Sequence, residues 1–294
     1  MKNLFAPLAA LAVVALASSA QAQFPATQTF SGFTIGDVAG QGSWTQSAAA
    51  SPNAQVVAGD LNISGFTALS DDRALEIVGG GQDVGISFGS TVPATDGTAL
   101  YASFLMSVSS PAAEADVPDT NPAASNTDDD YFFHFTEGTA AGGTNFRSRV
   151  FIDNNANGFY LGIRNSSGDP GTYFTTLQPL NTPTLVVVKL AFGASIDESS
   201  IFVNRVQATE PVTADAVATD ALATAAIGRI GIRADSALET PRIKFDQIRV
   251  GTSWADVVPF VAPTAPEADV TFAAAPVVDG TATAVSLGTF TQGT

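Results

Sequence analysis

After its first two dozen residues the chain is a succession of short runs in which apolar and polar residues alternate. Each run is ended by Gly, Thr, Ser, Asn or Asp about ten residues after the last. Alternation with a period of two sends successive side chains to opposite faces of a strand, and helical periodicity is nearly absent. In 99–108, Leu100, Phe104, Met106 and Val108 share one face, opposite Tyr101, Ser103 and Ser107. Residues 130–135 bring Tyr131, Phe133 and Phe135 together, and 159–164 gather Phe159, Leu161 and Ile163. Runs at 147–153, 184–192, 200–205 and 227–233 continue the pattern. In 242–250 the parity slips, with Ile243 and Phe245 odd but Ile248 and Val250 even, which predicts a β-bulge near Asp246-Gln247. Asp153-Asn154-Asn155-Ala156-Asn157-Gly158 ends in the Asn-Gly pair of a hairpin turn between two such runs. So many short strands predict an all-β, two-sheet antiparallel jelly-roll sandwich. Residues 109–129, rich in Pro, Ala, Asp and Asn, are expected to form a rim loop, and 208–226 a long loop or a short helix.

The opening residues follow other rules. Lys2 supplies a positive start, residues 4–17 an apolar stretch, and Ala20-Gln21-Ala22 a small-residue cleavage pattern. The stretch is shorter than the roughly 20 residues that a membrane span needs. Residues 1–22 are therefore expected to be a Sec signal peptide that sends the rest to the periplasm or beyond, secreted or at the cell surface. No later segment is apolar for long enough to span a bilayer, so no membrane insertion is expected after cleavage. The chain has no cysteine, which excludes disulfides, thiol catalysis, thiolate metal sites and a lipid anchor on cysteine. Stability must then come from burial, and residues 23–260 suffice for one large sandwich. Residues 261–294, with Pro263 and Pro266, read as a linker and short C-terminal tail. The formal charge is −16, from 28 Asp and Glu against 12 Lys and Arg. Such a surface repels nucleic acid and anionic lipid, so neither is expected as a partner.

Two segments carry a family resemblance. FSGFTIGDVAGQGSW (30–44) and FDQIRVGTSWADV (245–257) resemble the opening and closing segments of bacterial concanavalin A-like lectin/glucanase domains of the laminin-G type. YASFLM (101–106), RVFIDNNANGFYLGIR (149–164) and LVVVKLAF (185–192) look like that family's central strands. The resemblance implies a jelly roll whose last strand returns beside its first. It also implies a glycan or protein ligand in many members, calcium in some, and glycoside hydrolysis in one branch. Fold alone does not choose among these.

Glucanases of that branch resemble one another in a Glu-x-Asp-x-x-Glu strand, which sets two carboxylates on one face for a covalent intermediate. The nearest match here is Glu114-Ala115-Asp116-Val117-Pro118-Asp119. Its last residue is Asp, Pro118 would break a central strand, and it lies in the proline-rich loop. No catalytic residue is therefore expected. A carboxylate dyad assembled from distant residues, giving a hydrolase or lyase, is the alternative. His134, among Tyr131, Phe132, Phe133 and Phe135, is expected to be a packed or hydrogen-bonded strand histidine. For calcium there are two candidates. One is the hairpin with Asp153, Asn155 and Asn157, which begins like an EF-hand loop but has Arg164 where the bidentate Glu should stand. The other is Asp128-Asp129-Asp130. Each also reads as an ordinary turn or solvated loop end.

For ligand binding, Tyr160 and Arg164 share one face of their strand, and Arg147 and Arg149 one face of the strand before. A tyrosine platform with flanking guanidinium groups suits sugar rings or acidic glycans. A ladder of Arg neutralising nearby Asp is the alternative. The expected function is an exported, non-catalytic binding or adhesion module for a glycan or cell-surface ligand. A structural passenger of a surface-sorting system is a further alternative.

Overall fold

The computed structural model describes residues 26–67, 69, 72–110, 131–155, 157–166, 171–220, 224–234 and 240–262. The chain divides into Met1–Val261, which holds every described strand, and Ala262–Thr294. The described strands, in chain order, are β1 (Ala26–Gln28), β2 (Gly36–Asp37), β3 (Trp44–Ala48), β4 (Gln55–Ala58), β5 (Arg73–Ile77) and β6 (Asp83–Val92). Next come β7 (Ala99–Ser110), β8 (Tyr131–Glu137), β9 (Phe146–Asn155), β10 (Gly158–Arg164) and β11 (Thr172–Pro179). They end with β12 (Thr184–Ala191), β13 (Asp197–Val203), β14 (Ala216–Asp220), β15 (Ile227–Ile232) and β16 (Arg242–Gly251), before a single helical turn α1 (Trp254–Val257).

Two antiparallel sheets make a jelly-roll sandwich. One runs β14-β13-β12-β7-β16-β5-β4-β2, with β1 also on β16, and the other β11-β10-β9-β8-β15-β6-β3. The first described strand lies on the last described one, Ala26 opposite Val250. Between the sheets the inward residues of each strand interdigitate. The Phe104 ring meets Phe133 at 5.0 Å, Phe245 at 5.6 Å and Phe132 at 6.2 Å, all four fully buried. Each such phenylalanine contributes roughly 1.5–3 kcal/mol through burial.

The bulge expected at Asp246-Gln247 is present. Asp246 pairs with Leu105 and Arg249 with Ser103, leaving one extra residue on β16, and Gln247 takes a φ of 50°. The kink lets β16 pair with β5 before it and with β1 after it. A second bulge corrects the parity expected for β8. Tyr131 pairs with Phe151 but Phe133 with Val150, so Phe132 and Phe133 both enter the core and Tyr131 turns outward. The stretch 208–226 also differs from expectation, because β14 forms there on the edge of β13. Backbone pairing from Asp197 opposite Asp220 to Ile201 opposite Ala216 holds it there, and alternation within β14 is too weak to announce a strand. The loop 109–129 lies outside the described residues except for its first two.

The outer face of the nine-stranded sheet is covered. Leu61, Phe66, Tyr101, Leu105, Leu185, Val187, Phe202 and the α1 residues form a second apolar layer there. Trp254 packs edge-on to Phe202 at 5.2 Å and donates its indole N–H to Gln207 O at 2.9 Å. Trp44, by contrast, belongs to the main core and stacks on Phe30. The two tryptophans thus serve two different layers. Ser253 caps α1, and the Asp256 carboxylate accepts from the N–H groups of Thr252 and Ser253. A Cβ on Gly251 would stand 2.3 Å from that of Asp256, so only glycine fits under the cap.

Candidate functional site

The outer face of the seven-stranded sheet carries the functional candidates. On β9, Val150 and Ile152 point into the core, and the alternation sends Arg147, Arg149 and Phe151 outward. On β10, Phe159, Leu161 and Ile163 are buried, and Tyr160 and Arg164 turn outward. Arg164 pairs in register with Arg149, and Tyr160 with Asp153. The four residues expected to bind ligand, Tyr160, Arg164, Arg147 and Arg149, therefore stand on one face, each half-buried. Tyr131, Phe151 and Tyr173 fill the gaps as an aromatic cluster, with Phe146 and Tyr160 against it.

Sequence reasoning missed two further arginines. On β15, Ile230 and Ile232 face the core, and Arg229 and Arg233 stand on the outer side around Gly231. The run Arg229-Ile-Gly-Ile-Arg233 held that parity in plain view; its flanking glycines concealed the purpose. A Cβ on Gly231 would meet the His134 ring at 2.3 Å, and one on Gly85 would meet the Arg229 guanidinium at 2.8 Å. Both glycines let a large side chain lie flat across the sheet.

Five of the nine arginines of a −16 chain thus share this face. Arg147 pairs with Glu137 at 2.9 Å, and Glu137 also accepts from Asn145 and the Ala225 N–H. Arg233 approaches Asp83 at 3.6 Å. These two fit the charge-neutralising ladder. Arg164 lies over Phe151 at 4.3 Å. Arg149 departs from the ladder. Its guanidinium sits over the rings of Tyr131 (4.9 Å) and Phe146 (5.6 Å), with no ion pair or hydrogen bond among the described residues. Its Nε is buried without a partner. Burial holds its pKa below the ordinary arginine value; Tyr131 opposes this, and Arg233, Arg147 and Arg164 each add to the lowering. Directly opposed like charges destabilise a strand pair.

Arg229 is likewise without a carboxylate among the described residues. It gives Nη2 to the hydroxyls of Thr45 (2.6 Å) and Ser47 (3.3 Å), and burial lowers its pKa. His134 is a buried strand histidine, as expected. Its Nδ1 lies 3.1 Å from Thr136 Oγ1 and 3.3 Å from Phe135 O, and Phe146 packs on its ring at 4.0 Å. Burial first, and the nearby arginines after it, push its pKa down to about 3 against the backbone hydrogen bond, so the ring is neutral near pH 7.

A cavity of about 250 Å³ opens beside this cluster. A larger hollow of about 690 Å³ lies on the other sheet over Tyr101 and Lys189. There the polar groups already satisfy one another, because Glu210 accepts from both Tyr101 and Lys189 at 2.7 Å. The arginine face is the candidate site, because Arg149 there has no hydrogen bond or ion pair among the described residues.

The calcium candidates come apart. Asp153 is buried in β9, and Asn155 Oδ1 accepts from the Asn157 N–H at 3.0 Å, closing the turn of the hairpin. Strand pairing continues to Asn155 opposite Gly158, so this segment is a hairpin end and not an open cation loop. Among the described residues no group of three His, Asp or Glu side chains gathers to hold a metal. Asp128, Asp129 and Asp130 lie outside the described residues, as does the 114–119 carboxylate run. Glu76 is bridged to Arg242.

No protein-family model matches the chain, and no curated protein matches it. Similar solved structures include an endo-β-1,4-glucuronan lyase from the fungus Trichoderma reesei, 12% identical over 78% of this chain and 98% of that one, TM-score 0.40. The T. cruzi calreticulin globular domain is 8% identical over 77% and 90%, TM-score 0.44. The metal-free lectin I-B4 from Griffonia simplicifolia is 9% identical over 77% and 98%, TM-score 0.36. These are proteins of the concanavalin A-like lectin and glucanase fold, and the likeness extends no further than the path of the strands.

Proposed function

We propose that this chain is an exported, non-catalytic carbohydrate-binding module of the laminin-G type. It docks an acidic glycan, free or on a cell surface, across the outer face of its seven-stranded sheet. One observation carries the reading: Arg149 is a half-buried guanidinium stacked on aromatic rings, crowded by three other arginines and without an anion of its own. An uncompensated charge held out of water is unfavourable, and a carboxylate or sulfate from a ligand relieves it with charge-assisted hydrogen bonds. The partly exposed Tyr160 ring, packed against the buried Phe151 and Tyr173, offers apolar area for a sugar face on the same side of the sheet. The 1–22 leader supports export, and calcium at Asp128–Asp130 remains a separate proposal with its own test below.

The deciding experiment is a glycan array with uronate, sulfated and neutral oligosaccharides. Binding is expected to the acidic sets alone, weakening with salt. Arg149→Gln should lower affinity about tenfold or more, since a hydrogen bond between charged groups contributes roughly 1.5–3 kcal/mol. Equal binding of neutral glycans, or unchanged affinity in both Arg149→Gln and Tyr160→Ala, would sink this reading.

A hydrolase or lyase on the same face is favoured by one observation, the neutral His134 ring lining a cavity with two arginines. Release of reducing or unsaturated ends from a bound acidic glycan would replace the non-catalytic reading with that one.

A further inference from the structure

The cavity beside Arg149 has a composition of its own. Arg229, Arg233, His134 and Tyr131 line it from the sheet, and the 141–144 turn and Ser47-Ala48 line it from either side. The turn is held down where Gly143 packs within contact of Thr136, too close for a Cβ. Arg229 is only 2% exposed, and its Nη2 is its one nitrogen with a described hydrogen bond. A cation this deep, without a carboxylate, is held for an anion that arrives from outside. At about 250 Å³ the cavity is smaller than the roughly 300 Å³ at which ordinary small-molecule pockets begin. That volume is of the order of one sugar ring. The Tyr131 ring joins it to the open face, because Arg233 and Arg149 both lie over that ring, at 4.4 Å and 4.9 Å.

We propose that this cavity takes the terminal ring of an acidic oligosaccharide, with the ring's carboxylate on Arg229 and Arg233 and the next rings crossing Arg149. This rests on the acidic-glycan reading and deepens it from a surface that binds along a chain to one that binds a chain end. Asp83 offsets part of the Arg233 charge, so the pocket keeps about one positive charge for one carboxylate. The neutral His134 ring adds a hydrogen-bonding edge for a sugar hydroxyl without adding charge.

Titration calorimetry of the full chain with four-residue and eight-residue oligomers of glucuronate, galacturonate and mannuronate tests the proposal. The expected result is one protein per oligomer at either length, with similar affinity. Gly142→Trp should plug the cavity, because nothing lies within 4 Å of a Cβ at Gly142. It should lower affinity roughly tenfold or more with an unchanged melting temperature, and Arg229→Gln should weaken binding likewise. Two proteins on each eight-residue oligomer, with Gly142→Trp binding like the parent, would overturn end-on capture and leave the acidic-glycan reading standing. Failure of every oligomer to bind would overturn both.

Discussion

Arg249 and Arg149 each lie over an aromatic ring on the outer face of a sheet, and each has one buried nitrogen without a partner, but they differ in what else accepts from them. Arg249, on the nine-stranded sheet, sits 4.4 Å over Phe66, donates to Thr67 O, and has Asp246 nearby. Phe66 and Thr67 lie against it, it is 3% exposed, and burial brings its pKa down to about 10. Arg149, on the seven-stranded sheet, has rings but no acceptor, and no segment among the described residues seals it. The same side chain on the same kind of ring thus serves as a structural bolt on one face and as an unspent donor on the other.

The largest test of that contrast is on the covered face. Trp254→Ala should destabilise the fold by about 3–5 kcal/mol in denaturant titration, while the protein that remains folded keeps its glycan affinity. A loss of affinity without loss of stability would mean that the two faces are not separate in role.

The open face has its own signature in pH. His134 titrates near 6.5 when unfolded and about 3 when folded, so between those values the unfolded chain binds more protons. Stability contributed by the neutral ring is therefore full above about pH 6.5 and lost progressively as pH falls toward about 3, by on the order of a few kcal/mol. Melting curves across that window should be flatter in His134→Gln than in the parent. An identical slope would show that carboxylates alone govern acid unfolding.

The paired arginine variants give the sharpest comparison. Arg249→Gln is expected to cost about 1–3 kcal/mol of stability and no affinity, since it orphans the Thr67 carbonyl. Arg149→Gln should lose affinity with a melting temperature equal to or above that of the parent. The smallest effect concerns calcium. Asn155→Ala and Asn157→Ala should leave any calcium-induced rise in melting temperature untouched. Replacing Asp128, Asp129 and Asp130 together with Ala should abolish that rise, and its survival would exclude those three as ligands.

Much of the fold was legible because alternation and burial report the same thing. The bulge at Asp246-Gln247 was visible as a slip of parity, and the closing motif foretold a last strand beside the first. The bulge in β8 was not visible, because Phe132 and Phe133 are equally apolar and either fits the core. Half of the site was legible too, since Tyr160, Arg164, Arg147 and Arg149 betrayed their face by parity. Arg229 and Arg233 escaped notice because their nearness to β9 arises only through β8, a strand distant in sequence. Which arginine lacked an anion could not be read at all, since Glu137 and Asp83 reach their partners across strands.

β16 lies between β7 on one side and β5 and β1 on the other. The last of the described strands is thus the one that joins the two halves of its sheet, and until about residue 251 has been synthesised β5 and β7 have nothing between them. Such long-range closure makes for slow folding, with apolar strand edges waiting in the open. A chain cut short before β16 should therefore aggregate or be degraded, and shielding those edges until the last strand arrives falls to whatever attends the nascent protein.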